Sequence, residues 1–262
     1  MVEALRLILF GFIIALYGTF IGAGGGFVLM PVLLLVYPQE SPEFLAAISL
    51  AVVFCNAASG SVAYARLKRI DYVSGLILMS ATIPGAVIGN YITSRIGRGT
   101  FDVLLGVLMV VVAGFLLWRP TEVSAEEPAP ADGANTHRLG SYDVKLGLVV
   151  SLFVGFASSL LGIGGGIIHV PVLVHLLHFP VHIATATSHF VLAFMTLAAT
   201  VTNQARGTLA PGLSRVAWLA IGVVPGALVG AWFSSQVHGR WVIRALAIAL
   251  AFVGIRLLLL AL

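Results

Sequence analysis

Charge is what this sequence has least of. Of its 262 residues only 9% are Asp, Glu, Lys or Arg, while 60% are hydrophobic, and the mean hydropathy is +1.07. Soluble domains carry about 25% charged residues. So few charges cannot build a wettable surface, which excludes a soluble globular chain and implies an integral membrane protein. The pI of about 9.6 does not imply nucleic-acid binding, because the basic residues sit in short loops between apolar runs, where they set topology. Cysteine is almost absent too. Cys55 stands alone inside an apolar run, so no internal disulfide is available and the residue reads as a small buried side chain.

Acidic residues are missing from the middle of every apolar run. Glu3, Glu40, Glu43, Asp71, Asp102 and Asp143 lie at or near run ends, and Glu122, Glu126, Glu127 and Asp132 lie in a polar stretch. Cation carriers and carboxylate proton relays place an acid at depth. Its absence disfavours cations, is compatible with an anion, and leaves histidine as the evident titratable group. The chain also lacks a compact set of carboxylates or thiolates to join its histidines on a metal. GAGGGF at 22–27 lacks the final glycine of G-x-G-x-x-G, and no GK[ST] follows it. No metal, cofactor or nucleic acid is therefore expected.

What is present is duplication. Apolar runs cover roughly 4–36, 44–65, 72–94 and 101–118, then 143–177, 183–204, 213–235 and 241–262. Residues 119–141, rich in Pro, Ala and acids, read as a flexible solvated linker. GAGGGFVLMP from Gly22 pairs with GIGGGIIHVP from Gly162. AAISL at 46–50 pairs with TATSH at 185–189, setting Ser49 against Ser188, and IPGAVIGN at 83–90 pairs with VPGALVGA at 224–231. The offsets stay near 140. The reading is an all-α membrane protein of two homologous four-span repeats, 1–118 and 142–262. The first run resembles a signal peptide, but its design recurs at 146–161, which argues against cleavage.

Runs 4–36 and 143–177 are too long. A straight helix over 4–36 would measure about 50 Å against a hydrocarbon core of about 30 Å. The glycine cluster near its middle predicts a broken helix, with one arm ending near Gly22 and a second starting near Gly26. With eight crossings and the N-terminus inside, Arg6, Arg66, Lys68, Arg69, Arg119, Arg138, Lys145, Arg206, Arg215 and Arg256 are inside and Arg95, Arg98, Arg240 and Arg244 outside, a split of 10 to 4. If each half-helix counts as a crossing, giving ten spans and inverted repeats, the split is 6 to 8. The positive-inside rule favours eight, with both termini cytoplasmic and parallel repeats, while the inverted five-plus-five arrangement stays open.

Non-helical backbone at membrane depth must be buried in protein or line a wet cavity. A helix that starts there presents unpaired N–H groups and a positive dipole end, and glycine lets an anion approach closely. Gly22, Gly24, Gly25 and Gly26, with Gly162, Gly164, Gly165 and Gly166, are therefore candidate substrate-binding residues. The competing reading is close helix packing. Ser49, Asn56, Ser188 and His189 are candidates to complete the shell, and a carboxamide such as that of Asn56 needs several partners in hydrocarbon. His169 and His189 are candidates for proton coupling. At the corresponding positions the first repeat has Leu29 and Leu50. His175, His178 and His182 flank Pro180 and are expected at the solvated interface. Ser188 and His189 are neighbours whose side chains diverge by about 100° on a helix, so they form no nucleophile–base pair, and no enzyme is expected.

The duplicated G-x-GGG-x-x-x-x-P segment, the A-x-x-S stretch and the duplicated [IV]-P-G-A-x-x-G segment resemble the TauE/SafE sulfite exporter family, over nearly the whole chain apart from the linker. The resemblance implies a multi-pass permease of the bacterial-type inner membrane for a small sulfur-containing or organic anion. The expected function is a secondary transporter working by alternating access, with the lipid bilayer and a small anion as its partners. An anion channel or an accessory subunit of another complex is the alternative. Oligomeric state is not legible.

Overall fold

The computed structural model describes residues 2–21, 24–118, 142–233 and 239–261. The 119–141 linker and Gly22 lie outside the described residues. Every regular element among the described residues is helical: α1 (Val2–Ile21), α2 (Gly26–Val36), α3 (Pro42–Arg66), α4 (Tyr72–Thr93), α5 (Arg98–Trp118), α6 (Val144–Leu160), α7 (Gly166–His175), α8 (Val181–Ala205), α9 (Leu213–Phe233) and α10 (Gly239–Ala261). Six stretches among them are long and apolar enough to cross a membrane, and α2, α6, α7 and part of α10 are shorter apolar segments. Large apolar side chains such as Leu9, Val111, Phe153, Ile248 and Phe252 are exposed, as a lipid-facing surface requires. The protein is an integral, multi-pass membrane protein.

Both overlong runs break where the glycines stand. α1 ends at Ile21 and α2 begins at Gly26; α6 ends at Leu160 and α7 begins at Gly166. Pro31 and Pro171 lie within the second arms. Three other helix starts are capped by side chains. Ser41 Oγ accepts from Phe44 N ahead of α3, Asp71 accepts from Ser74 N and Ser74 Oγ ahead of α4, and Asp143 accepts from Lys145 N and Leu146 N ahead of α6.

α3 and α8 form the centre. Their apolar windows are 72% and 67% buried, against 28–39% for those of α1, α4, α5 and α9, which face outward. α2 and α7 lie on α3 and α8 of their own halves, while the other helices pair across the two halves: α1 packs on α9, α4 on α6 and α5 on α10. Glycine makes the first two seams. The spaces where Cβ atoms of Gly222, Gly226 and Gly230 would lie are filled by the carbonyls of Ile8, Phe12 and Leu16. Those of Gly85 and Gly89 are filled by the carbonyls of Leu152 and Phe156. The repeated PGA-x-x-G segment is thus a close-packing stripe.

These contacts also fix direction. Numbers rise together along α1/α9 and along α4/α6, so each pair is parallel. Along α5/α10 they run oppositely, since Gly106 meets Leu258 while Met109 meets Gly254. α3 and α8 are antiparallel as well: Tyr64 rests on His189 at one end, and Glu43 pairs with Arg206 at the other. The near end, where α1 starts, gathers the α2–α3 connection, the start of α5 and the α8–α9 junction. There Arg98 donates to the carbonyls of Leu34 (2.9 Å) and Glu40 (2.9 Å) and pairs with Asp102 (3.0 Å), while Arg215 pairs with Glu40 and lies over the Tyr37 ring. α2 therefore runs back toward the end from which α1 came. This is the ten-segment arrangement; an eight-crossing chain would put Glu43 and Arg206 on opposite faces.

Candidate functional site

The two helix starts inside the protein have the same backbone. Gly25, the residue before α2, has φ 74°, and Gly165, before α7, has φ 84°; Gly24 and Gly164 have φ 75° and 76°. Two successive residues in the left-handed region turn the chain sharply, and only glycine adopts this without steric cost. The Gly25 carbonyl accepts from Val28 N and Leu29 N, and the Gly165 carbonyl from Ile168 N and His169 N. The amides of Gly26 and Phe27, and of Gly166 and Ile167, carry no hydrogen bond to the described residues. All four residues are buried.

The two starts meet. A Cβ on Gly26 would strike the Ile163 carbonyl, and one on Gly164 would lie 2.5 Å from Val53 Cγ1. A Cβ on Gly24 would lie 3.1 Å from Leu192 and 3.5 Å from Val53. Val53 of α3 thus stands between the glycine segments, and Leu192 of α8, which corresponds to it at an offset of 139, lies against the first. Ser49, fully buried, donates its hydroxyl to the Gly162 carbonyl at 2.6 Å and so holds the second segment from the opposite half.

A polar cluster lies beside the first segment. Thr19 Oγ1 donates to Asn56 Oδ1 at 2.7 Å, and Tyr64 Oη donates to the Thr19 carbonyl at 2.9 Å. With its oxygen so held, Asn56 presents Nδ2 toward Gly25, 3.4 Å from that residue's Cβ position, with no hydrogen-bond partner among the described residues. Asn56 is 2% exposed. His189 meets Tyr64 edge-on at 5.3 Å and fills the space left by the missing side chain of Gly60, where Thr19 also reaches. Its Nδ1 lies 3.3 Å from the Thr185 carbonyl, and its Nε2 has no partner among the described residues. In the second half, His169 Nδ1 contacts Ser188 Oγ at 3.3 Å, His169 Nε2 is unpartnered, and Ser158 Oγ lies 2.8 Å from the Cβ position of Gly165.

The structure thus sets Asn56 against Gly25, with His189 against Gly60 one turn further along α3, and groups Gly164, Gly165, Gly166, His169 and Ser188 on the side of the second segment. Ser49 touches backbone. Of the three histidines near Pro180, His178 and His182 are exposed, and His175 is half-buried against Phe115. Thr19, Gly60 and Tyr64 were not singled out in the sequence. The signal for two of them was there: Asn56, Gly60 and Tyr64 are spaced i, i+4, i+8 and share one face of α3. An open apolar groove of about 300 Å³, lined by Phe54, Ser61, Tyr72, Phe190 and Phe194, lies on the outer side of α3 and α8, apart from the glycine segments.

Paired interrupted helices buried among central spans, with amides and an amide side chain that have no partner among the described residues, match the architecture of membrane transporters that bind solutes at depth. The chain belongs to the sulfite exporter TauE/SafE family, whose profile matches residues 7–259. It is 28% identical over 269 residues to the "Probable membrane transporter protein YunE" of Bacillus subtilis strain 168, covering 96% of each chain. It is 28% identical to the "Probable membrane transporter protein MJ0441" of Methanocaldococcus jannaschii, over 70% of this chain and 65% of that one. A "Probable membrane transporter protein" of Xylella fastidiosa strain 9a5c is also 28% identical, over 83% of this chain. No solved structure matches.

Proposed function

We propose that this protein is a secondary transporter that moves a small anion, a sulfur oxyanion or sulfonate such as sulfite, across the inner membrane by alternating access. The observation that carries the reading is the meeting of two glycine-capped helix starts in the buried centre, whose first amides have no hydrogen-bond partner among the described residues, next to Asn56 Nδ2, which has none there either. Helix dipoles and amide donors favour negative charge there. The anionic class is further supported by the family and by the lack of a mid-span carboxylate.

In this reading Gly24–Gly26, Gly164–Gly166, Asn56 and His189 bind the anion. Ser49 and Ser188 keep the glycine segments in place. Residues 1–118 and 142–262 act as inverted repeats related by a two-fold axis in the membrane plane, which the antiparallel α3/α8 and α5/α10 pairs support. Motion of one half against the other opens the centre to either side.

Flux into proteoliposomes containing the purified chain tests this. Saturable, trans-stimulated uptake of sulfite or a sulfonate is the expected result. Linear, unsaturable flux would favour a channel, and no flux across a panel of such anions would overturn the reading.

A further inference from the structure

We propose that the seat at the start of α2 takes an oxyanion that still carries one acidic O–H, with that O–H donating to His189 Nε2, so that each anion bound brings one proton with it. The proposal rests on the anion-transport reading and narrows its ligand class.

It follows from which atoms of the seat can give hydrogen bonds and which can only receive them. The amides of Gly26 and Phe27 are donors. Asn56 Nδ2 is a donor, because Thr19 Oγ1 already occupies the carboxamide oxygen. Asn56 Nδ2 lies 3.4 Å from the Gly25 Cβ position and the two amides follow Gly25 in the chain with no partner among the described residues, so the three suit the charged oxygens of an anion. His189 differs. Its Nδ1 faces the Thr185 carbonyl, which can only accept, so the ring hydrogen sits on Nδ1 and the neutral ring offers a lone pair at Nε2. That nitrogen is buried and unpartnered, 3.2 Å from the Cβ position of Gly60, one turn along α3 from Asn56.

A lone pair aimed at a fully deprotonated anion is repulsive. It becomes a hydrogen bond when the ligand carries an O–H, or when the ring carries the proton. In both cases the occupied seat holds one proton between ligand oxygen and Nε2, and no other group changes its state. The groups that face His189 do not substitute for it. Tyr64 on α3 presents its ring edge and donates its hydroxyl to the Thr19 carbonyl. Asp71 ahead of α4 turns its carboxylate to Ser74 and its backbone N–H to Thr187, and His169 on α7 contacts Ser188. α1 contributes Thr19, which does not titrate. The first half has Leu50 at the matching position, so the device exists once per chain.

The test compares sulfite, which has a hydrogen-sulfite form, with methanesulfonate, which has the same charge in that form and no acidic O–H. Binding of each to the purified full-length chain is measured by titration calorimetry at several pH values across the ordinary histidine range. Sulfite affinity is expected to follow the hydrogen-sulfite fraction and to exceed that for methanesulfonate about tenfold, the worth of one charge-assisted hydrogen bond. In His189→Phe, which keeps the ring contact with Tyr64, and in His189→Leu, which copies Leu50, the two affinities are expected to converge to within about twofold. Equal affinities in the unaltered protein, or an undiminished sulfite preference in both variants, overturn the proposal and leave anion transport standing. Binding of neither ion, with no flux, removes both.

Discussion

Glu43, in the first turn of α3, and Arg206, just past the last turn of α8, form an ion pair at 2.7 Å. The pair says little about stability, because both side chains are 24% exposed and such pairs contribute at most about 1 kcal/mol. Its value is topological, since it puts the start of one central helix and the end of the other on the same face of the membrane. In a protein whose Cys55 is replaced by alanine, Gln39→Cys and Gln204→Cys are expected to react with an impermeant maleimide from one side, and Lys68→Cys from the other. Labelling of Gln39→Cys and Gln204→Cys from opposite sides would refute the returning course of α2.

The glycine stripes separate packing from function. Gly226→Leu drives a side chain into the Phe12 carbonyl and is expected to destabilise the protein by about 1–3 kcal/mol or block its assembly. Gly99→Ala, where nothing lies within 4 Å, is expected to be neutral or stabilising by up to about 1 kcal/mol. Thermal unfolding in detergent gives both values.

At the helix starts, Gly25→Ala and Gly165→Ala place a Cβ on left-handed backbone, at a cost of about 1–2 kcal/mol. The Gly25 variant also meets Ile14 Cγ2 at 2.8 Å. Transport is expected to fall by more than stability does, because relaxation re-aims the free amides. Flux compared with melting temperature decides, and a fall in stability alone would argue for a purely structural turn.

Ser49 and Thr19 act through others. Ser49→Ala removes the bond to the Gly162 carbonyl and is expected to cost about 1 kcal/mol, with slower flux. Thr19→Val leaves the buried Asn56 oxygen without its donor and frees the carboxamide to turn toward Gly25, and is expected to cost about 1–3 kcal/mol and to weaken anion binding several-fold. Calorimetry on Thr19→Val beside Asn56→Leu checks this. The first should retain part of the affinity that the second loses.

Much of this was legible beforehand. The breaks fall at Ile21 and Gly26, and at Leu160 and Gly166, because a cluster of glycines weakens the helix where the apolar run is too long to cross as one. The direction of α2 was not legible from charge. Arg98, Arg206 and Arg215 are held by the Leu34 and Glu40 carbonyls and by Asp102, Glu43 and Glu40, so they serve the joints at the near end as well as topology. A tally of loop charges cannot separate these roles. Nor could the Thr19–Asn56–Tyr64 cluster be read from one sequence, since it depends on how α1 lies across α3. The duplicated PGA-x-x-G segment was visible as a repeat, but its use as a seam appears only once α1 and α6 are seen against the opposite half.

Val53 and Leu192 have one more consequence. Val53 lies against Gly24, Gly26 and Gly164, and Leu192 against Gly24, so hydrocarbon side chains line the place where the two glycine segments meet. In the proposed carrier these side chains have to part for a solute to pass, so replacing Val53 with serine is expected to raise passive anion flux into proteoliposomes.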